Sequence, residues 1–278
     1  MRIVMPLFDF CFDFCFDSHN ESREFVFSKD KYTLRMFDAA NEIPEVELFS
    51  KRDVKLMERV PWAVVAEAEN LEHYKQEVNI LLLSFRIYKL SRVYIKYRLC
   101  KEDDSYCTRL NDYLHIVMPN KSNRIITLND LNIIDKGFSR LLQMDTISNR
   151  THNAIYFMYR GFCAGKMIDS FLFLMCSIES LFSNEESFGA TKTICSRVSK
   201  FLDYMSGYEY KDIEELYDLR SKIVHGKVVV EDEIKGKLNI LYKLQYVLVE
   251  CMKKMLNEEI YLIYSDIQNK ECYFNDLK

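Results

Sequence analysis

Arg220 and His225 stand close together in YKDIEELYDLRSKIVHGK, residues 210–227. An arginine clamps a phosphate through parallel N–H groups, and an imidazole exchanges a proton near neutral pH, so the pair is suited to phosphoryl chemistry. Ile213, Leu216, Leu219, Ile223 and Val224 recur at helical spacing. Asp212, Glu214 and Glu215 lie where the positive start of a helix favours carboxylates, and Gly226 is a stop signal. The predicted helix thus carries Arg220 on its body and His225 in its last turn. Five helical steps turn by roughly 140°, so one straight helix converges the two side chains poorly. Each also has a purely structural account. An arginine among apolar neighbours needs a carboxylate, either Glu179 of SIESLF or nearby Asp218. A histidine at a helix C-terminus gains from the negative helix end without performing any chemistry.

The segment LYDLRSKIVHG, residues 216–226, resembles the R-x4-6-H signature of HEPN domains, helical units many of which are metal-independent ribonucleases. It looks most like the abortive-phage-escape (ApeA-like) branch, and the resemblance runs back through CSIESLF at 176–182. The resemblance implies Arg220 and His225 as catalytic residues, with Glu179 and Ser221 in support. Lys222, adjacent to them, is a candidate RNA contact; an exposed helix face accounts for both Ser221 and Lys222. It also implies two motifs paired across a homodimer, with no metal and no cofactor. The activity so implied is antiviral RNA cleavage in abortive infection, with the substrate's own 2′-hydroxyl attacking. Lys227 stands where some HEPN toxins carry a tyrosine, which argues against regulation by tyrosine adenylylation there. The alternative from a different class is a non-catalytic HEPN module that binds a nucleotide or a partner protein.

Composition bounds these readings. A chain of 278 residues, 49% hydrophobic and 29% charged, is long enough for one large or two ordinary domains with real cores. Its nine cysteines are odd in number and sit mostly in apolar runs, which predicts free thiols and a reducing, cytoplasmic setting. No apolar run reaches the roughly 18 residues of a membrane span, so no membrane association is expected. The start MRIVMPLFDFCFDF turns acidic where a signal peptide has its cleavage site. A net charge of −4 argues against broad, sequence-blind nucleic-acid binding, so any RNA contact must be local.

The elements that position the motif follow from a change of period. All four prolines precede residue 120 and all seven glycines follow residue 136, which together with the periodicity divides the chain near PNKSNR. Residues 1–125 are predicted as a strand-rich domain that senses a trigger or grips RNA, and 126–278 as an all-helical HEPN bundle, an α+β protein in sum. FDFCFDFCFD at 8–17 alternates as a strand with one phenylalanine face, and further strands are predicted at 23–28, 32–37, 61–69 and 113–119. Its Asp and Cys face lacks a second ligand cluster to complete a zinc site. RVYIKYRL at 92–99 alternates so that Arg92, Tyr94, Lys96 and Arg98 face outward. Arg92, Lys96 and Arg98 are candidate RNA contacts; a solvated strand face is the more ordinary account of them. Five helices are predicted beyond residue 126: one from Thr127, one over 153–182, one over 190–205, the motif helix, and one over 232–256.

Overall fold

The computed structural model describes residues 2–12, 24–27, 31–44, 49–67, 71–89, 91–100, 107–110, 125–184, 190–202, 209–227 and 238–277. The fold is mixed α+β, an antiparallel sheet followed by a helical region. The chain divides into two compact units, Met1–Leu114 with Met118–Ser139, and His115–Val117 with Arg140–Lys278. The strand predicted at 113–119 lies outside the described residues.

In the first unit, β1 (Arg2–Phe8), β3 (Glu24–Val26), β4 (Tyr32–Met36), β5 (Trp62–Glu67) and β6 (Tyr94–Ile95) form a sheet in the order β3-β4-β5-β1-β6. Strand β1 was not foreseen, because it is buried on both faces and so shows no alternation. The strand predicted over 8–17 is corrected: β1 ends at Phe8, and Asp9 takes the left-handed region at φ 55°. A short β2 (Cys11–Phe12) then pairs in parallel with β9 (Ile125–Ile126), and residues 13–17 are outside the description. Pro6 has no N–H to give on the side facing β6 and β7 (Tyr97–Arg98). There Leu7 opposes Ile95 and Val4 opposes Leu99, so residues 5 and 6 face residues 96–98, one more, and the strand bulges. Strand β7 pairs with β8 (Thr108–Arg109) beyond the bulge.

Helices α1 (Ala39–Glu42), α2 (Lys51–Met57) and α3 (Leu71–Lys89) complete the unit. The core helix α3 also escaped the sequence reading, since the apolar run NILLLSF does not separate a buried helix from a buried strand. Its Phe85 meets Phe10 and Phe27 edge-on, with ring centroids 5.9 and 6.4 Å apart.

Ser50 caps α2 and shares a reciprocal box with Asp53, whose carboxylate also accepts the Tyr97 hydroxyl and lies 3.7 Å from Arg109. The hydrogen bonds from Ser50 and Tyr97 hold the Asp53 carboxyl down at about 2. A depressed carboxyl stabilises the fold above its unfolded value and loses that contribution as pH falls. Asp53→Ala is expected to cost about 1–3 kcal/mol at neutral pH, by unpairing a buried hydroxyl and a cap. Thermal melts between pH 5 and pH 2 should show a flatter acid slope for the variant than for wild type.

In the helical unit, α4 (Leu128–Ile147) begins among the residues of the first unit and ends in the second. The single helix predicted over 153–182 is corrected: it is two, α5 (Asn149–Cys163) and α6 (Met167–Phe182). Ala164 turns to extended backbone at φ −65°, ψ 126°, and the chain reverses through Gly165 and Lys166. Close approach of the hairpin requires Gly161, where a Cβ would lie 2.7 Å from the Leu174 side chain. Helix α6 buries eight residues from Ser170 to Phe182 and leaves a half-exposed stripe of Leu172, Phe173, Cys176, Glu179 and Ser180.

Helices α7 (Ala190–Phe201), α8 (Tyr210–Val224) and α9 (Leu238–Asn257) correspond to the remaining three predicted helices. A 3-10 turn over Ile260–Ser265 and α10 (Ile267–Asp276) follow in the tail that the sequence reading left unassigned. The last carbonyls around the end of α6 are held by cations: Lys270 Nζ donates to Ser183 O at 2.6 Å and Arg197 Nη1 to Phe182 O at 3.3 Å. Arg150 Nη1 reaches Ser183 Oγ at 2.7 Å. Positive groups at a helix C-terminus oppose its dipole and anchor the turn that carries Glu179.

Candidate functional site

Helix α8 is held at both ends. At its start, Asp212 Oδ2 accepts the Glu209 backbone N–H at 2.9 Å, and Lys243 of α9 pairs with Asp212 and, at 3.3 Å, with Glu215. At its end, His225 N–H donates to Ser221 O, Gly226 N–H to Ile223 O and Lys227 N–H to Lys222 O, at 3.0, 3.1 and 2.8 Å. Gly226 has φ +66°. These bonds and that left-handed glycine make a Schellman stop, so Gly226 ends the helix as its type predicts. His225 is the C-cap residue.

Arg220 finds its carboxylate on α6. Its Nε lies 3.3 Å from Glu179 Oε1 and its Nη2 3.5 Å from Oε2, a loose fork. The side chains are 34% and 28% exposed, and Asp218 points into solvent instead. Arg220 Nη1 makes no hydrogen bond among the described residues. Burial raises the Glu179 carboxyl above its ordinary range, and the Arg220 charge draws it partly back. Cys176, one turn before Glu179, is raised for the same reason of burial, reinforced by the Glu179 charge.

Beside this pair stands Tyr217, one turn before Arg220 on α8, a residue that sequence reasoning did not single out. It is 4% exposed, and its hydroxyl has no hydrogen-bond partner among the described residues. Burial raises the phenol well above its ordinary value, and the neighbouring Glu179 charge adds to that. Cys195 of α7 is a further neighbour, its thiol pushed up to about 11 by burial. The available signal was its spacing: the hydroxyl-bearing residue lies at i−3 from the arginine, on the same face.

His225 stands apart from this cluster. It is exposed, and no hydrogen bond or ion pair joins its ring to Arg220 or Glu179 among the described residues. Ser221 is half-buried and Lys222 exposed, their roles in the described structure being the backbone carbonyls of the helix stop. Arg220 and Glu179 are therefore together, and His225 lies beyond the end of the helix.

In the first unit, Val93, Ile95, Tyr97 and Leu99 are buried and Arg92, Tyr94, Lys96 and Arg98 half-buried, the predicted alternation. The Lys96 ammonium lies 5.3 Å from the Tyr97 ring centroid, and Tyr94 stacks on Phe8 at 5.2 Å. Among the described residues no three His, Cys, Asp or Glu side chains group as metal ligands, and no helix is long and apolar enough to cross a membrane. Compared with family models, curated proteins and solved structures, the chain matches none.

Placing a Cβ at Gly226 forces a side chain into left-handed backbone, so Gly226→Ala is expected to lower stability by about 1 kcal/mol in denaturant melts. Arg220→Ala removes the charge that draws Glu179 down. The Glu179 carboxyl, followed by NMR, should then titrate at higher pH than in wild type.

Proposed function

We propose that the chain is a HEPN-type, metal-independent RNA endonuclease of antiviral defence, acting as a homodimer. The observation that carries this reading is the half-buried guanidinium of Arg220, loosely held by Glu179 with one nitrogen unpaired among the described residues, about one and a half turns before an exposed imidazole at His225. A guanidinium in that condition is suited to a phosphodiester, and an imidazole that faces solvent is accessible to a substrate hydroxyl.

In the reaction, His225 accepts the proton of the 2′-hydroxyl as its oxygen bonds to phosphorus, and the bond to the 5′-oxygen breaks. Arg220 stabilises the charge that gathers on the non-bridging oxygens, and the 5′-oxygen leaves with a proton from the protonated imidazole or water. The products are a 2′,3′-cyclic phosphate and a 5′-hydroxyl. Five helical steps turn the two residues roughly 140° apart around α8, so the working pair would be Arg220 of one protomer with the partner's imidazole. Ser221 and Lys222 would border the RNA, and Arg92, Lys96 and Arg98 of the sheet unit would grip its backbone. The separation of His225 from the ion pair favours one second reading, a HEPN module that binds a nucleotide or protein without cutting.

Cleavage of RNA in the presence of chelator separates the two. Wild type is expected to cut RNA to cyclic-phosphate ends, to spare RNA bearing a 2′-deoxy at the cut site, and to lose at least about 100-fold in rate as His225→Ala. A folded His225→Ala variant as fast as wild type, or activity abolished by chelator, removes the nuclease reading.

A further inference from the structure

The Arg220–Glu179 pair and the Tyr217 hydroxyl pose one chemical question together. A carboxylate and a phosphate present the same two-oxygen edge to a guanidinium, so whatever holds that edge of Arg220 competes with a phosphate for it. Glu179 holds it through both Nε and Nη2, at 3.3 and 3.5 Å, which is long for charge-assisted contacts. The carboxylate is also more than half desolvated, so its ionised form has lost water without gaining tight bonds in return. This is a counter-ion that a better anion can replace.

Tyr217 indicates what the replacement gains. Its hydroxyl is buried beside Glu179, yet it donates neither to that carboxylate nor to any other described residue. It lies on the same face of α8 as Arg220, one turn earlier, with Cys176 and Glu179 of α6 and Cys195 of α7 around it. A donor in such a place is satisfied by an acceptor that is larger than a carboxylate and seated on the Glu179 side of the guanidinium. Phosphate, with oxygens to spare after pairing with Arg220, has that shape.

We infer that Glu179 is an internal competitor for a phosphate oxyanion at Arg220, and that the Tyr217 hydroxyl is the second donor the oxyanion gains when Glu179 turns away. The inference rests on Arg220 as the phosphate-binding group of the proposed nuclease and assigns that site its regulation. Glu179 keeps Arg220 occupied in the resting protein, and only a ligand able to use both Arg220 and Tyr217 displaces it.

The test is equilibrium binding to the full chain of two probes, inorganic phosphate and a 2′-O-methyl RNA oligomer that supplies no nucleophile. Glu179→Gln is expected to tighten binding several-fold, and Tyr217→Phe to weaken it by about tenfold, the loss of one hydrogen bond to a charged group. The same pattern with both probes assigns a phosphodiester; the pattern with inorganic phosphate alone assigns a free phosphate group. Tyr217→Phe should melt at or above the wild-type temperature without ligand, because the hydroxyl it removes has no described partner. Binding by Tyr217→Phe equal to wild type, weaker binding by Glu179→Gln, or a Tyr217→Phe variant that loses stability would each overturn the inference. Wild type that binds with this variant pattern yet cuts no RNA leaves the inference standing and removes only the nuclease reading.

Discussion

The helical unit is built around the cost of hiding α6. Eight of its residues, among them Phe171, Leu174, Met175, Ile178, Leu181 and Phe182, are buried, so other helices must cover most of its circumference. Burying side chains of that size contributes about 1.5–3 kcal/mol each, which makes α6 the element the others are arranged to satisfy. Beyond its first turn, where Asp169 is exposed, only the stripe through Phe173, Cys176 and Glu179 stays half open, and Glu179 stands on it. Arg220 reaches Glu179 because α8 packs with α7 along that opening. The site is thus located by the requirement that a helix buried over most of its length keep the Glu179 carboxylate on the stripe that retains water.

That arrangement explains why the polar parts are loose. A guanidinium and a carboxylate about a third exposed are still partly hydrated, and pairs of this kind contribute at most about 1 kcal/mol. The pair does not hold α8 in place. Lys243 at one end and the glycine stop at the other do so, together with Ile213, Leu216, Leu219 and Ile223 on the buried face. Arg220 can therefore exchange partners without unfolding its helix. The orphan hydroxyl of Tyr217 belongs to the same account, since leaving it unpaired costs about 1–3 kcal/mol that a phenylalanine would not. Ser170 Oγ, Asn184 Oδ1 and Gln245 Oε1 are also buried without described partners.

The sequence was informative where a single period governed burial. The helix over 210–224, its stop at Gly226, the alternation of residues 92–99 and the strand β4 were all readable from such patterns. Reading failed where burial removed the pattern: β1 and the NILLLSF stretch of α3 are apolar and buried on nearly every side, so neither a two-fold nor a helical repeat marks them. It also failed at the break between α5 and α6, where apolar residues continue across Gly165 and only the close approach at Gly161 reveals a hairpin. Glu179 was legible as a partner for Arg220 because a guanidinium among apolar neighbours requires one. Tyr217 was not, because a tyrosine on an apolar face normally satisfies its hydroxyl at the protein edge, and only the packing of three helices shows that this one does not.

The helix stop separates the two motif residues into different environments, and this bears on what each can do. Arg220 sits before the last turn, where its charge is shared with Glu179 and its side chain is half-buried. His225 sits on the C-cap, where helix hydrogen bonding is finished and its ring meets solvent. A proton-transfer group profits from exposure to its substrate, whereas an anion-binding group profits from the low dielectric that strengthens its field. The left-handed glycine at 226 produces that division, since continuing the helix would carry His225 on around the cylinder instead of halting it at the rim. The separation that looks like a defect in one helix is therefore what permits a half-buried cation and a solvent-facing imidazole to be encoded only five positions apart.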